Sequence, residues 1–201
     1  MPDTASETSI CPACGAPLYG WVVLGAKTRG TGGERVLDRC EACGLGVPHD
    51  RAGIALDRDG DGLVAAPNRR SWQAGIGGGH WAALELAPED AYPTPAALGP
   101  LLEDAGLEPL RVRQPALGPN QLWMWQTLVN AFTFHDDFAV RVLRRRLRPA
   151  DARSRLTFAI DAAVSIVAAL PVAIVSLPLE LAAVALRRGG LLEAEVRELR
   201  T

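Results

Sequence analysis

Four cysteines carry the clearest chemistry in the chain: Cys11 and Cys14 form one Cys-x-x-Cys pair, Cys40 and Cys43 a second. A glycine follows each pair, Gly15 and Gly44, and 25 residues lie between Cys14 and Cys40. Thiolates are soft donors that suit Zn2+, which takes four of them in a tetrahedron. A Cys-x-x-Cys turn aims two sulfurs at one ion, and the glycine behind it lets the backbone turn sharply. With four protein ligands the ion has no open position for substrate, so its role is structural. The competing chemistry is a redox dithiol or two disulfides, and this spacing favours metal. The first twenty residues lack the basic start and apolar run of a secretory signal, so the thiols are expected to stay reduced. The sequence therefore predicts a structural Zn2+ held by Cys11, Cys14, Cys40 and Cys43.

Two knuckles share an ion only if the chain between them doubles back. Leu18-Tyr19-Gly20-Trp21-Val22-Val23-Leu24 has strand composition, residues 30–33 are a glycine-rich turn, and Val36-Leu37 leads to the second knuckle. Residues 1–47 are thus expected to form a zinc ribbon, with residues 48–67 as a linker. Lys27, Arg29, Arg35 and Arg39 are offset by Glu34, Asp38 and Glu41, and the whole chain has a net charge of −2, which excludes the basic footprint of a nucleic-acid binder.

Residues 57–62, Asp-Arg-Asp-Gly-Asp-Gly, resemble the start of a calcium loop, but Asn68 stands where the twelfth-position glutamate belongs, so a solvated acidic turn is expected. Residues 75–80, Gly-Ile-Gly-Gly-Gly-His, lack the strand before and the helix after that a phosphate loop needs and read as a flexible loop. His80 has no evident paired acid or nucleophile and is expected to be packed or solvent-facing. Thr94-Pro95 reads as an N-cap with proline at the first helical position. Leu98, Leu101, Leu102 and Ala105 share one face of that helix, Gly106 ends it, and residues 107–112 read as a strand. This αβ unit, residues 68–115, has little predicted sheet to complete.

Hydrophobic residues make up 48% of the 201, and their distribution is uneven. Residues 156–186 are apolar apart from Asp161, Glu180 and three small hydroxyl residues. The 18 residues between the two acids would span about 27 Å as helix, close to the roughly 30 Å of a hydrocarbon core. Pro171 and Pro178 interrupt the run, so a single span, a re-entrant hairpin bending near Pro171, and a soluble helical bundle all stay open. Seven arginines between Arg141 and Arg155 precede the run, and Arg187 and Arg188 follow it. Basic residues on both sides place both ends on the cytoplasmic face of the cell membrane, against anionic lipid. Trp123, Trp125, Phe132, Phe134 and Phe138 are expected on an amphipathic helix in the headgroup boundary. Asp161 and Glu180 are expected to mark the ends of the buried stretch. His135, Asp136 and Asp137 offer an acid–base cluster or a helix-end cap.

One further pattern emerges from order rather than from any single motif. Asn68, Ser71-Trp72-Gln73-Ala74, His80-Trp81-Ala82-Ala83-Leu84-Glu85, Tyr92-Pro93-Thr94-Pro95, Gln126-Thr127-Leu128-Val129-Asn130 and Arg188-Gly189-Gly190 follow one another as in the C-terminal part of a bacterial class I S-adenosylmethionine-dependent methyltransferase family. Some members of that family also carry an N-terminal zinc ribbon. The resemblance covers about three-fifths of the chain plus the ribbon. It implies a nucleotide-binding Rossmann core between the two, yet only residues 45–68 fill that interval, and a βαβ unit alone needs about 30 residues. Pro88-Glu89-Asp90 also replaces the family's Pro-Arg-His run.

The expected architecture is α+β: a small N-terminal zinc ribbon, a short αβ remnant, and a helical C-terminal half over residues 116–201 containing a hydrophobic helix or helical hairpin. The expected function is zinc-binding, membrane-associated and non-catalytic, a binding or adaptor role resembling a truncated methyltransferase. S-adenosylmethionine is not expected as a cofactor. The alternative is a methyltransferase, or a subunit that completes one with a partner chain. Expected partners are the inner membrane surface and a protein partner or second copy, with no nucleic acid. No catalytic or cofactor-binding residue is assigned.

Overall fold

The structure, a computed structural model, describes residues 10–24, 35–49, 58–59, 62–86, 91–144 and 152–199. The expected turn at residues 30–33, Asp57, Gly60 and Asp61 of the acidic turn at residues 57–62, the Pro88-Glu89-Asp90 run, and Lys27, Arg29, Arg145, Arg146 and Arg148 lie outside the described residues; Arg58–Asp59 of that turn is instead strand.

Strands β1 (Leu18–Leu24), β2 (Arg35–Cys40) and β3 (Gly46–Pro48) form an antiparallel sheet in that order. Leu18 pairs with Cys40, so the expected hairpin returns the second knuckle to the first. β4 (Arg58–Asp59) and β5 (Leu63–Pro67) follow, and then α1 (Trp72–Gly77), whose N-terminus the Ser71 hydroxyl caps by accepting from the Ala74 amide at 3.0 Å. A 3-10 turn at Gly78–His80 and α2 (Ala83–Leu86) complete this segment. Residues 75–80 are therefore helical, which corrects the flexible-loop expectation: the Ser71 cap starts a helix that the glycines do not prevent.

α3 (Pro95–Asp104) and β6 (Leu107–Arg113) match the helix and strand expected after Thr94. α3 is the shared wall of two cores. Ala97 and Leu101 pack with Cys11, Cys40, Leu45 and Val47, while Leu98 and Leu102 pack with Val64, Leu107, Leu192 and Val196.

α4 (Pro119–Asn130), α5 (Phe138–Leu143) and α6 (Ala152–Ala185) make the helical half, but the chain closes with β7 (Leu191–Glu198) rather than a helix. β7 inserts between β5 and β6 to give the antiparallel order β4-β5-β7-β6. Three expectations are corrected together. The end of the chain is a strand, the linker at residues 48–67 contributes β4 and β5, and the αβ unit completes a four-stranded sheet. Leu192, Ala194 and Val196 are buried on one face of β7, and Arg113 and Glu108 of β6 pair with Glu193 and Arg197 at 2.7 and 2.6 Å.

α6 is one continuous 34-residue helix through Pro171 and Pro178, which excludes the hairpin bend. It joins β7 through a tight junction. The Asn68 side-chain amide donates to the Gly189 carbonyl at 2.8 Å, and the Asn68 and Trp72 amides donate to the Gly190 and Arg188 carbonyls. A Cβ at Gly190 would run into the buried amide of Gln73. Gly190→Ala is therefore expected to destabilise the fold by about 1–3 kcal/mol through overpacking. A urea midpoint equal to that of the wild type would show that the junction is not packed in this way.

Candidate metal centre

The two knuckles are built alike. In each, the first cysteine amide donates to the carbonyl five residues on (Cys11 to Ala16, Cys40 to Leu45, both 2.8 Å). In each, the glycine amide donates back to the first cysteine carbonyl (Gly15 at 2.8 Å, Gly44 at 2.9 Å). Gly15 and Gly44 take φ of +71° and +79°, the left-handed region that glycine enters without cost.

This duplicated turn brings the four sulfurs together. Cys11 Sγ lies 3.6 Å from Cys43 Sγ, Cys14 Sγ lies 3.4 Å from Cys40 Sγ, and all four fall within 4.8 Å of one another. A disulfide requires about 2.05 Å, so all four are free thiols. A tetrahedron with metal–sulfur bonds of about 2.3 Å has edges of about 3.8 Å, so the four sulfurs fit a single metal ion such as zinc. Burial pushes the Cys11 and Cys43 thiols up from their ordinary value. Burial also acts upward on Cys40, but the Cys43 amide and the neighbouring thiols outweigh it and bring Cys40 down to about 7. A divalent cation at the centre of the four sulfurs would supply the counter-charge that the buried Cys11 and Cys43 thiols lack.

The second knuckle is clamped from outside the three-stranded sheet. The Thr94 hydroxyl donates to the Cys43 carbonyl at 2.6 Å while accepting from the Ala97 amide at 3.2 Å, so one oxygen caps α3 and holds the metal loop. Arg69 donates to the Gly44 carbonyl at 3.1 Å and lies 4.4 Å over the Trp21 ring; burial lowers its pKa. Gly46 and Tyr92 exchange backbone hydrogen bonds at 3.0 and 2.8 Å. Gly44 has no substitute, because a Cβ there would meet Thr94 Cγ2 at 2.8 Å in addition to its positive φ.

The polar residues expected on the long helix are placed differently from expectation. Asp161 and Glu180 are wholly buried against the protein rather than reaching out from the ends of an apolar stretch. The Asp161 carboxylate accepts from the Phe134 and His135 amides at 2.7 and 3.1 Å and from His135 Nδ1 at 2.7 Å. Glu180 accepts from the Gln73 side chain at 2.7 Å and from the Gly190 amide at 2.9 Å. A carboxylate buried here needs such donors, and they lie on the inner side of α6.

The expected His135-Asp136-Asp137 cluster is divided among separate partners. His135 goes to Asp161, Asp136 to His80 Nδ1 at 2.8 Å, and Asp137 to the Asn130 amide at 3.2 Å. Asp137 occupies the N-cap position of α5 with φ of +53°, and its side chain makes no capping bond there. His80 thus has the paired acid that its local sequence did not reveal, 56 residues away. The expected single aromatic helix is also divided. Trp123 and Phe138 are buried, Trp125 Nε1 donates to the Ala169 carbonyl at 2.9 Å, and Phe132 and Phe134 sit exposed on the turn between α4 and α5.

α6 is long and apolar enough to cross or anchor in a membrane, and only 11% of its most apolar stretch is buried. No family model, no curated protein and no solved structure matches the chain.

Replacing Thr94 by alanine removes both bonds of its hydroxyl and is expected to cost about 1–2 kcal/mol, whereas Thr94→Ser should stay close to the wild type. Thermal unfolding of the two variants side by side checks this; equal losses would mean that the hydroxyl has no role at the knuckle.

Proposed function

We propose that this chain is a zinc-ribbon protein that works at the cytoplasmic face of the cell membrane in a non-catalytic, binding or adaptor role. The observation that carries the membrane part is the inverted polarity of α6. A helix on a water-soluble protein turns its apolar face inward and its polar face outward. Here the hydroxyl and carboxylate side chains of Asp161, Ser165, Ser176 and Glu180 are buried inward. The outward row, which includes Leu156, Ile160, Ile166, Val167, Leu170 and Ile174, is entirely apolar. Ile166 and Val167 are each 76% exposed, a state that water disfavours and hydrocarbon accepts.

Exposed arginines at both ends of the helix, Arg153 and Arg155 in its first turn and Arg187 and Arg188 just after it, support the cytoplasmic, anionic-lipid side. The tetrahedral fit of four free thiols supports zinc and, with no fifth donor position, a structural ion. Clamped by Thr94 and Arg69, the ion would fix the ribbon to α3. The edge strand β1, with Tyr19 and Val23 exposed, is then the face left for a protein partner. A class I methyltransferase binds its cofactor on a parallel βαβ half-domain, whereas every strand pair among the described residues is antiparallel. That supports the reading without S-adenosylmethionine over a methyltransferase complete in the described residues.

Expression in a bacterium, fractionation at physiological salt and metal analysis test both parts. The protein should sediment with membranes and carry one zinc per chain. Cys40→Ser should lose the metal and fall in thermal midpoint, because structural zinc contributes directly to folding. Recovery as a discrete soluble species free of lipid would sink the membrane reading, and a metal-free, equally stable protein would sink the zinc reading.

A further inference from the structure

We infer that α6 does not cross the bilayer but lies in the plane of one leaflet, with its outward row as a monotopic seat on anionic lipid. This rests on the membrane reading above and specifies how the protein meets the membrane. The argument is topological. α6 is followed at once by β7, and β7 pairs with β5 and β6, which precede α6 in the chain. Both ends of the helix therefore return to one folded body.

The inner side is held to that body along its length. Phe158 packs on Phe138 with ring centroids 5.0 Å apart, Asp161 holds the turn at residues 134–135, the Ala169 carbonyl accepts from Trp125, and Glu180 accepts from Gln73. From Phe158 to Glu180 these attachments run about 33 Å along the helix, as long as a hydrocarbon core is thick. A crossing α6 would draw α4, α5 and the buried polar groups attached to it into hydrocarbon as well. α4, at 12 residues, is about 18 Å long and cannot cross beside it.

An in-plane seat leaves the body in water and puts only the outward row into lipid. Phe132 and Phe134, on the turn held by Asp161, are 66% and 58% exposed. Interfacial helices bury their apolar face by about 5–10 Å, the depth such a row can reach. The exposed arginines at the two ends then meet anionic headgroups of the same leaflet. They also argue against a second copy as the occupant, since parallel and antiparallel alignment of two α6 rows both bring arginine against arginine.

Full-length protein with an epitope tag at each terminus would be mixed with preformed vesicles of phosphatidylglycerol and phosphatidylethanolamine, floated, and treated with protease from outside. The protein should float, both tags should be digested, and flotation on phosphatidylcholine alone or in high salt should fall several-fold. Ile166→Asp with Ile174→Asp should lower the vesicle-bound fraction at least tenfold with zinc content and thermal midpoint unchanged, whereas Ile166→Leu should bind like the wild type. Flotation with one tag protected would overturn the in-plane seat and leave the membrane reading standing. Undiminished flotation of the double aspartate variant would overturn the outward row as the contact. A wild-type protein that never floats and runs as a dimer would overturn both readings.

Discussion

The carboxylate of Glu180, with no solvent contact, lies where the three parts of the molecule meet. It takes one hydrogen bond from Gln73 of α1 and one from the Gly190 amide at the start of β7. Gln73 also donates to the Asn120 carbonyl at the head of α4. Removing such a group from water is tolerable only when donors replace the lost hydration, and losing one of them would leave a buried acid uncompensated. The geometry around residue 180 therefore constrains where α6 ends, where β7 begins and how α1 and α4 sit against them. Asn68 reinforces the junction by donating to Gly189, and the register of β7 between β5 and β6 follows from that starting point.

A comparable economy governs the other half. The Thr94 hydroxyl both caps α3 and grips the Cys43 carbonyl, so α3 cannot shift without disturbing the metal loop. Because α3 packs the cysteine-bearing segment on one side and the four-stranded sheet on the other, it ties the thiol cluster to the sheet, and Arg69, just after β5, adds a second tie at Gly44. Occupation of the cluster by an ion would stabilise more than the ribbon. The long helix, by contrast, spends its polar groups inward and leaves its outer row without protein partners among the described residues.

The features legible in the sequence were those set by neighbours a few residues apart. Two Cys-x-x-Cys-Gly turns, the strand at residues 18–24, the Thr94-Pro95 cap and the strand after Gly106 each follow from local geometry. The length and apolarity of residues 156–186 were equally plain. Misreadings arose where local preference and distant context disagreed. Leu, Glu, Ala and Arg in residues 191–198 are good helix formers, so the segment looks helical by propensity. Its alternation of Leu192, Ala194 and Val196 with Glu193, Glu195 and Arg197 carried the opposite message, and an open slot between two edges decided in its favour.

By itself, then, the sequence determined the candidate metal ligands, the hairpin that joins them, and the presence of a long apolar helix, because each depends on spacing within one stretch of chain. Only the tertiary structure decided that α6 is unbroken, that its acids point inward, and that its apolar row points out. Likewise His80 finds Asp136 across 56 residues, and β7, from Leu191, completes a sheet whose other strands begin at Arg58, Leu63 and Leu107. Composition gives the same apolar total whichever way a helix is turned. Which face is buried depends on the donors that distant segments bring to Asp161 and Glu180, and those are fixed only when the chain has folded.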